Sequence, residues 1–267
     1  MEMSVVIRCK DDERVFECIK SIDEDVKLIV VLNQNDNLKQ RLEKIGVSCY
    51  VSPPGNLSIV SNIGFSVAET NKVIITDSDT LFYPGCIKAI HEALDNYKVV
   101  RAKLTFKSSN CIPYSNLVSE ARDFVNSLPL VYTPGIGVRK DILPEIGGFL
   151  FNDHVPFAVD ADLNYRVKEA GIDVAFLSNA IIQHDCEGLK HDLRAASRIG
   201  RGCRTSAETL GKLYTNTSVS SIGRYLKGVK LHHYPFLIKE KGIKVFLYQI
   251  VWDSYFYFGY NCQRMGF

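Results

Sequence analysis

The sequence predicts an α/β fold, with a doubly wound, mostly parallel central sheet flanked by helices and a C-terminal helical extension. Two observations carry this. Short apolar, β-branched runs alternate with helix-like segments over about the first hundred of the 267 residues, the rhythm of parallel strands joined by crossover helices. A chain of this length also suffices for one large domain with a sizeable core plus a modest extension. Residues 1–205 are therefore read as the main domain and 206–267 as the extension.

The elements follow in order. VVIR (5–8), LIVVL (28–32), SCYVS (48–52) and VIIT (73–76) read as strands, separated by helical segments at 12–22, 37–45 and 57–69. Pro84 opens a helix over 84–96, where its missing N–H costs nothing. VVRAKLTF (99–106) is a strand, 114–127 a helix carrying Glu120 and Arg122, and YTPGIGVRK (132–140) a turn feeding a short strand. VDADLNYRVKEAG is a helix stopped by Gly171, and DVAFLSNAIIQH (173–184) is the strand after it. Residues 188–215 read as a basic helix, and the tail from 235 is rich in aromatics.

Composition excludes several classes. Thirty-two basic against 30 acidic residues leave a net charge of +2, so no polyanionic partner is implied for the molecule as a whole. The 8 cysteines stand singly, without C-x-x-C or metal-type spacing, which predicts free thiols in a reducing cytoplasm. MEMSVVIRCKDD enters a strand directly and carries no signal-peptide pattern. No uncharged apolar run reaches the roughly 18 residues a spanning helix needs.

The segment KVIITDSDTLFYPG places Asp77 and Asp79 one residue apart at the C-terminal end of an apolar strand, the end at which α/β proteins bind ligands. Two carboxylates this close repel, and a cation relieves the cost. Three readings compete. D-x-D holds a divalent ion on the diphosphate of a nucleotide-sugar in glycosyltransferases. D-x-D-x-T opens the haloacid dehalogenase phosphatases, with Asp77 as the nucleophile, but Thr80 stands one place early for that pattern. The third reading is a strand-ending turn in which Ser78 and Asp79 bond the backbone.

Six segments in order resemble the inverting family-two glycosyltransferases of the GT-A (Rossmann-like) fold, over residues 4–204. VVIRCKD stands where that family has a strand and a nucleotide-binding loop, and VVLNQND where it has a strand ending in aspartates. LSIVSNIG is similar to its Asn-x-Gly helix segment, ITDSDT to its D-x-D, and GIGVRKDILPEIGGF to its acceptor-side loop. VDADLNYRVKEAG resembles the E-D-x-D-L-x-x-R block that brings the catalytic base. The chain departs from the pattern at Val159, which replaces the Glu of that block, and at Asn33, Gln34, Asn35 and Asp36. RIGRG (198–202) only loosely echoes the Q-x-x-R-W of processive members, which disfavours polymer synthesis.

The resemblance implies a metal-dependent transfer of one sugar from a nucleotide-sugar, a UDP-sugar before others, to a hydroxyl acceptor. A departing nucleoside diphosphate accumulates negative charge that Mn²⁺ or Mg²⁺ stabilises. Asp79, with Asp77 direct or through water, and His184 are the implied ligands. Inversion needs a base opposite the leaving group. Asp160 is the first choice and Asp162 the second. Arg8, Cys9, Lys10, Asp11, Asn33, Asn35, Asn62 and Ser78 are implied on the donor side, and Gly135, Gly137, Gly147 and Gly148 on the acceptor side. Arg194, Arg198 and Arg201 recur at helical spacing, so that Arg198 and Arg201 could clamp a diphosphate and Arg194 more plainly joins a solvated face. A non-catalytic nucleotide-sugar-binding module is the remaining alternative.

The tail IKVFLYQIVWDSYFYFGY (243–260) is apolar on nearly all sides and follows Lys227, Lys230, Lys239 and Lys241. Such a segment suits a membrane interface, which would place the protein at the inner face of the membrane, or a helix that covers the core or joins a homodimer.

Overall fold

The computed structural model describes residues 1–128 and 130–264. The chain begins β1 (Ser4–Cys9), α1 (Val15–Lys20), β2 (Lys27–Leu32), α2 (Asp36–Lys44), β3 (Ser48–Val51), α3 (Leu57–Val67), β4 (Lys72–Asp77), β5 (Thr80–Phe82) and α4 (Cys86–Ala93). It continues with β6 (Val99–Lys107), α5 (Ser115–Ser127), β7 (Ile136–Arg139), a 3-10 turn at Lys140–Ile146, α6 (Val159–Glu169) and β8 (Val174–Asp185). The C-terminal part is α7 (Leu189–Leu213), α8 (Val219–Leu226), a 3-10 turn at Leu231–His233, α9 (Tyr234–Lys241) and α10 (Ile243–Arg264).

The strands make one sheet in the order β3-β2-β1-β4-β7-β6-β8-β5. β1, β2, β3 and β4 are parallel. The continuous apolar runs of β1 and β4 reflect their covering by helices on both faces, so no polar alternation is needed. β7 runs antiparallel to β4 and β6, and glycine is required there: a Cβ on Gly137 would stand 2.5 Å from Ile90 Cγ2.

β5 is not among the strands that the sequence predicts. Three residues are too few to show a strand period, yet they pair antiparallel with β8 and set Thr80 opposite His184. That register carries the far end of β8 back to the D-x-D.

The expected boundary between 205 and 206 does not divide the structure, because it falls inside the unbroken α7. This helix shares one apolar cluster with α5, α6, α8 and α10, through Val118, Tyr165, Ala196, Leu226 and Trp252 among others. α7 and α10 approach at backbone distance. A Cβ on Gly200 would stand 2.1 Å from the Phe256 carbonyl oxygen, and one on Gly259 2.0 Å from that of Ser197. The inner face of α10 also buries Gln249 and Asp253, and Asp253 accepts from Lys227 Nζ at 3.0 Å and Gln249 Nε2 at 3.0 Å. Lys227 is thus a buried partner of the tail and not part of a basic surface. The outer face of α10 leaves Ile243, Leu247, Ile250, Val251, Tyr255 and Phe258 exposed. Among the described residues no helix is long and apolar enough to cross a membrane.

Candidate active site

The strand ends of the parallel sheet converge on one cluster. Arg8 stands one residue from the end of β1, Asp77 closes β4, and Ser78 and Asp79 follow at once. Arg8 is buried and grips Asp77 bidentately, Nε to Oδ1 at 2.8 Å and Nη2 to Oδ2 at 2.9 Å, the strong planar form of an ion pair. His184 Nε2 stands 3.3 Å from Asp79 Oδ1. Its Nδ1 lies 2.6 Å from the Asp185 carbonyl oxygen, to which it donates. That bond fixes the ring and turns Nε2 to the carboxylates.

One ligand atom from each of Asp77, Asp79 and His184 lies within 4.8 Å of the others, and the donor set of two carboxylates and an imidazole fits a divalent cation. Protons and arginines balance the charge of these carboxylates. Burial opposes a cationic His184, but the bond to Asp79 and its charge outweigh burial and lift the pKa to about 9. Burial likewise pushes Asp79 up, yet His184 and Arg14 hold it below the usual carboxylate range. For Asp77 burial wins over Arg8, and the carboxyl is raised.

Arg14 and Asp12 belong to this cluster and were not expected. Arg14 Nη2 lies 2.8 Å from Asp12 Oδ2 and 3.5 Å from Asp79 Oδ2, so a half-exposed guanidinium bridges the β1 loop and the D-x-D. The only sequence signal was their place in the polar loop after a strand.

Asp160 starts α6 and faces the same cavity, of about 340 Å³, that Arg8, Asp77 and His184 border. Its carboxylate accepts from the Ala161 N–H at 3.0 Å. Burial raises its pKa, with that bond and the charge of Arg8 opposing. Ala158, immediately before the helix, takes a left-handed φ of 58° and sets the entry angle.

Asp162 is placed differently. It is fully buried, accepts from Arg166 Nε at 2.8 Å and Ser206 Oγ at 3.0 Å, and is absent from the cavity wall. Arg166 spends its other donors on the carbonyls of Ile146, Phe149 and Leu150. Asp162 therefore ties α6 to α7 and to the 146–150 loop. Asp162→Asn leaves Arg166 buried with half its compensation, and we expect a loss of about 3 kcal/mol or more of stability, read as a lowered melting temperature in calorimetry.

The remaining expected residues divide. Cys9 is buried under the β1 loop, while Lys10 and Asp11 are exposed beside it. Asn35 caps α2 by accepting from Leu38 N–H at 2.9 Å and also bonds Asp11. Asn33 accepts from Ser52 Oγ at 3.0 Å. Ser78 is buried, with its N–H on the Arg8 carbonyl at 3.0 Å. Asn62 does not reach the cavity. It clamps the 151–153 loop, donating to the Phe151 carbonyl and Asp153 Oδ1, both at 2.8 Å, and accepting from Phe151 N–H at 3.1 Å. Gly135 and Gly137 serve close sheet packing, and Gly147 and Gly148 adopt positive φ in the turn after Ile146. Arg194, Arg198 and Arg201 project from the exposed side of α7 and line no part of the cavity.

No protein-family model matches the chain and no curated protein matches its sequence. Solved structures do. S. aureus TarS 1–349 in complex with UDP-GlcNAc aligns over 100% of this chain and 92% of its own, at 16% identity and a TM-score of 0.54. S. aureus TarS aligns over 97% of this chain and 54% of its own, at 16% identity and a TM-score of 0.53. The TarS 1–349 complex with UDP gives 14% identity and a TM-score of 0.50. At such identity the likeness speaks for architecture, and it establishes a GT-A-type α/β fold for this chain.

Proposed function

We propose that the protein is an inverting, metal-dependent glycosyltransferase that moves one sugar from a UDP-sugar to a hydroxyl acceptor. The observation that carries the reading is that Asp160 shares one cavity with Asp77 and His184, two members of the Asp77–Asp79–His184 cluster, at the strand ends where this fold type binds nucleotides. The neighbours' complexes with UDP and UDP-GlcNAc support the donor class.

Asp79 and His184 would hold the cation, with Asp77 direct or through water. Bound there, it supplies Lewis-acid stabilisation of the departing diphosphate. Asp160 takes the proton of the acceptor hydroxyl as that oxygen bonds the anomeric carbon. The bond from that carbon to the diphosphate oxygen breaks, and its electron pair leaves with the UDP. Arg8 holds Asp77 in place, and Arg14 would exchange its contact with Asp79 for a phosphate oxygen.

Calorimetry with UDP and Mn²⁺ tests the reading. Asp79→Asn should weaken Mn²⁺-dependent UDP binding by about 10- to 100-fold, since even changes around a metal's ligands cost that much. Equal binding by this variant would remove the metal role.

The outer face of α10 supports a second reading, attachment to an anionic bilayer. Exposed Lys239 and Lys244 flank its apolar row, and such a pairing of charge and apolar surface suits an interfacial helix. Sedimentation with phosphatidylserine vesicles should occur at low salt and weaken at high salt. A concentration-dependent dimer without sedimentation would assign the face to a second copy instead.

A further inference from the structure

Arg101, on β6, is 1% exposed, and no carboxylate among the described residues pairs with it. Burial lowers its pKa to about 10, which still leaves it charged near neutral pH. A buried charge without a counter-charge is costly, and an apolar side chain of similar volume would fill the space more cheaply.

Its partners are backbone carbonyls. Nη1 donates to those of Leu128 and Leu130, both at 2.7 Å, Nη2 to that of Asn126, and Nε to that of Ala102 at 3.4 Å. Two rings cover the guanidinium: Phe176, its neighbour across the β6–β8 pairing, at 4.7 Å, and Tyr132 at 5.1 Å. Charge-assisted bonds and cation–π contact offset the lost hydration. The last carbonyls of a helix have no partner within it, and Arg101 meets this need from behind α5. Asn126 lies in the last turn of that helix, and Leu128 and Leu130 in the chain that leaves it.

That chain is a wall of the candidate site. Val125 and Asn126 of α5 and residues 130–134 border the cavity that Asp160 faces, whereas Arg101 does not. Asn164 Oδ1, from α6, accepts from the Val131 N–H at 3.2 Å. The wall acts on the carboxylate itself, because the Thr133 N–H favours the charged form of Asp160. The other titratable groups that act on Asp160 are Arg8 from β1, Tyr132 from the wall and Cys203 from α7, and burial keeps the last two neutral.

We propose that Arg101 is a positioning residue of this site: its planar fork, set behind the wall, fixes the three carbonyls and thereby the place of the Thr133 N–H against Asp160. The positioning stands on the geometry of the wall, and its service to transfer rests on the glycosyltransferase reading.

Arg101→Lys keeps the charge and replaces the fork by one ammonium, so the direct field at Asp160 stays while the wall loses its hold. In full-length protein labelled with ¹³Cγ-aspartate, the Asp160 resonance is the one that Asp160→Asn lacks. Its titration midpoint should lie about 0.5–1 pH unit higher in Arg101→Lys, the worth of one weakened hydrogen bond to the charged form. Asp12, on the β1 loop, should titrate as in the parent. An arginine that served packing alone would lower the melting temperature and leave the Asp160 midpoint in place, so an unchanged or lower midpoint in the folded variant overturns the proposal. Should Arg101→Lys not fold, Phe176→Leu keeps the fork and removes the ring beneath it, at a position 40% exposed. A smaller rise of the same midpoint is then expected, and its absence overturns the proposal equally. Calorimetry of the parent with UDP and Mn²⁺ separates the two claims. A raised midpoint without UDP binding leaves Arg101 its role and sinks the transferase reading, whereas UDP binding with an unmoved midpoint does the opposite.

Discussion

Asp160→Asn should bind UDP and Mn²⁺ as tightly as the parent protein and transfer sugar about 10²- to 10⁴-fold more slowly, the usual worth of a positioned general base. The amide is nearly isosteric and can still accept from the Ala161 N–H, so the start of α6 keeps its geometry. It cannot take a proton. The parent's rate should also carry the signature of this carboxyl. Burial lifts its pKa above the ordinary value, so the base is lost by protonation as pH falls, and transfer should decline at a higher pH than a solvent-exposed aspartate would give. A pH–rate profile checks this, with the residual rate of the variant showing no such limb. Asp162→Asn provides the contrast. Buried against Arg166 and Ser206, it should lower the melting temperature while retaining most of the rate per folded molecule. If instead it kept its stability and lost transfer while Asp160→Asn stayed active, the base would lie two residues further on.

The division between these two aspartates shows what was legible in the sequence. Both stand at the start of one helix, and a spacing of two turns them to different sides. The sequence could rank them, but only tertiary packing shows that Ser206, from a helix 44 residues on, occupies the second. The parallel core was legible because VVIR, LIVVL and VIIT are continuous β-branched runs, and Asp77 and Asp79 were legible because they end one of them. His184 is different. Its sequence position carries no signal stronger than that of any strand-end histidine, and its place beside Asp79 depends on the three-residue β5 pairing with β8. Gly135 and Gly137 pack against the side chains of Ile182 and Ile90, Gly147 and Gly148 take positive φ in a turn, and Asn62 clamps a loop, roles that a motif alone does not tell from ligand contact. Arg122 and Trp252 border one cavity only because α5 and α10 pack together, a long-range contact that no local pattern announces.

That packing makes the tail structural, whatever its outer face meets. A chain ending at Pro235 should fail to fold cooperatively. It would lose the burial of Val245, Tyr248, Trp252 and Phe256, at about 1.5–3 kcal/mol each, an amount comparable to the roughly 5–15 kcal/mol that holds a whole domain. It would also strand Lys227, buried at 7% exposure, without Asp253, and an uncompensated buried charge alone costs about 3–5 kcal/mol. Aggregation, or the loss of a melting transition, is the expected result by light scattering and calorimetry. A tail that served only to attach the protein to a bilayer would give the opposite, a soluble shortened chain melting within a few degrees of the parent. A milder variant guards against reading too much from truncation. Gly200→Ala puts a methyl 2.1 Å from the Phe256 carbonyl oxygen, so α10 must move outward. Overpacking of this kind costs about 1–3 kcal/mol, or about 2–12 °C for a chain of this size. Trp252, the chain's 1 tryptophan, rides on α10 and borders the cavity, so in protein labelled with 5-fluorotryptophan the same displacement should shift its ¹⁹F resonance. An unchanged resonance with an unchanged melting temperature would mean that the α7–α10 contact is looser than its glycines imply.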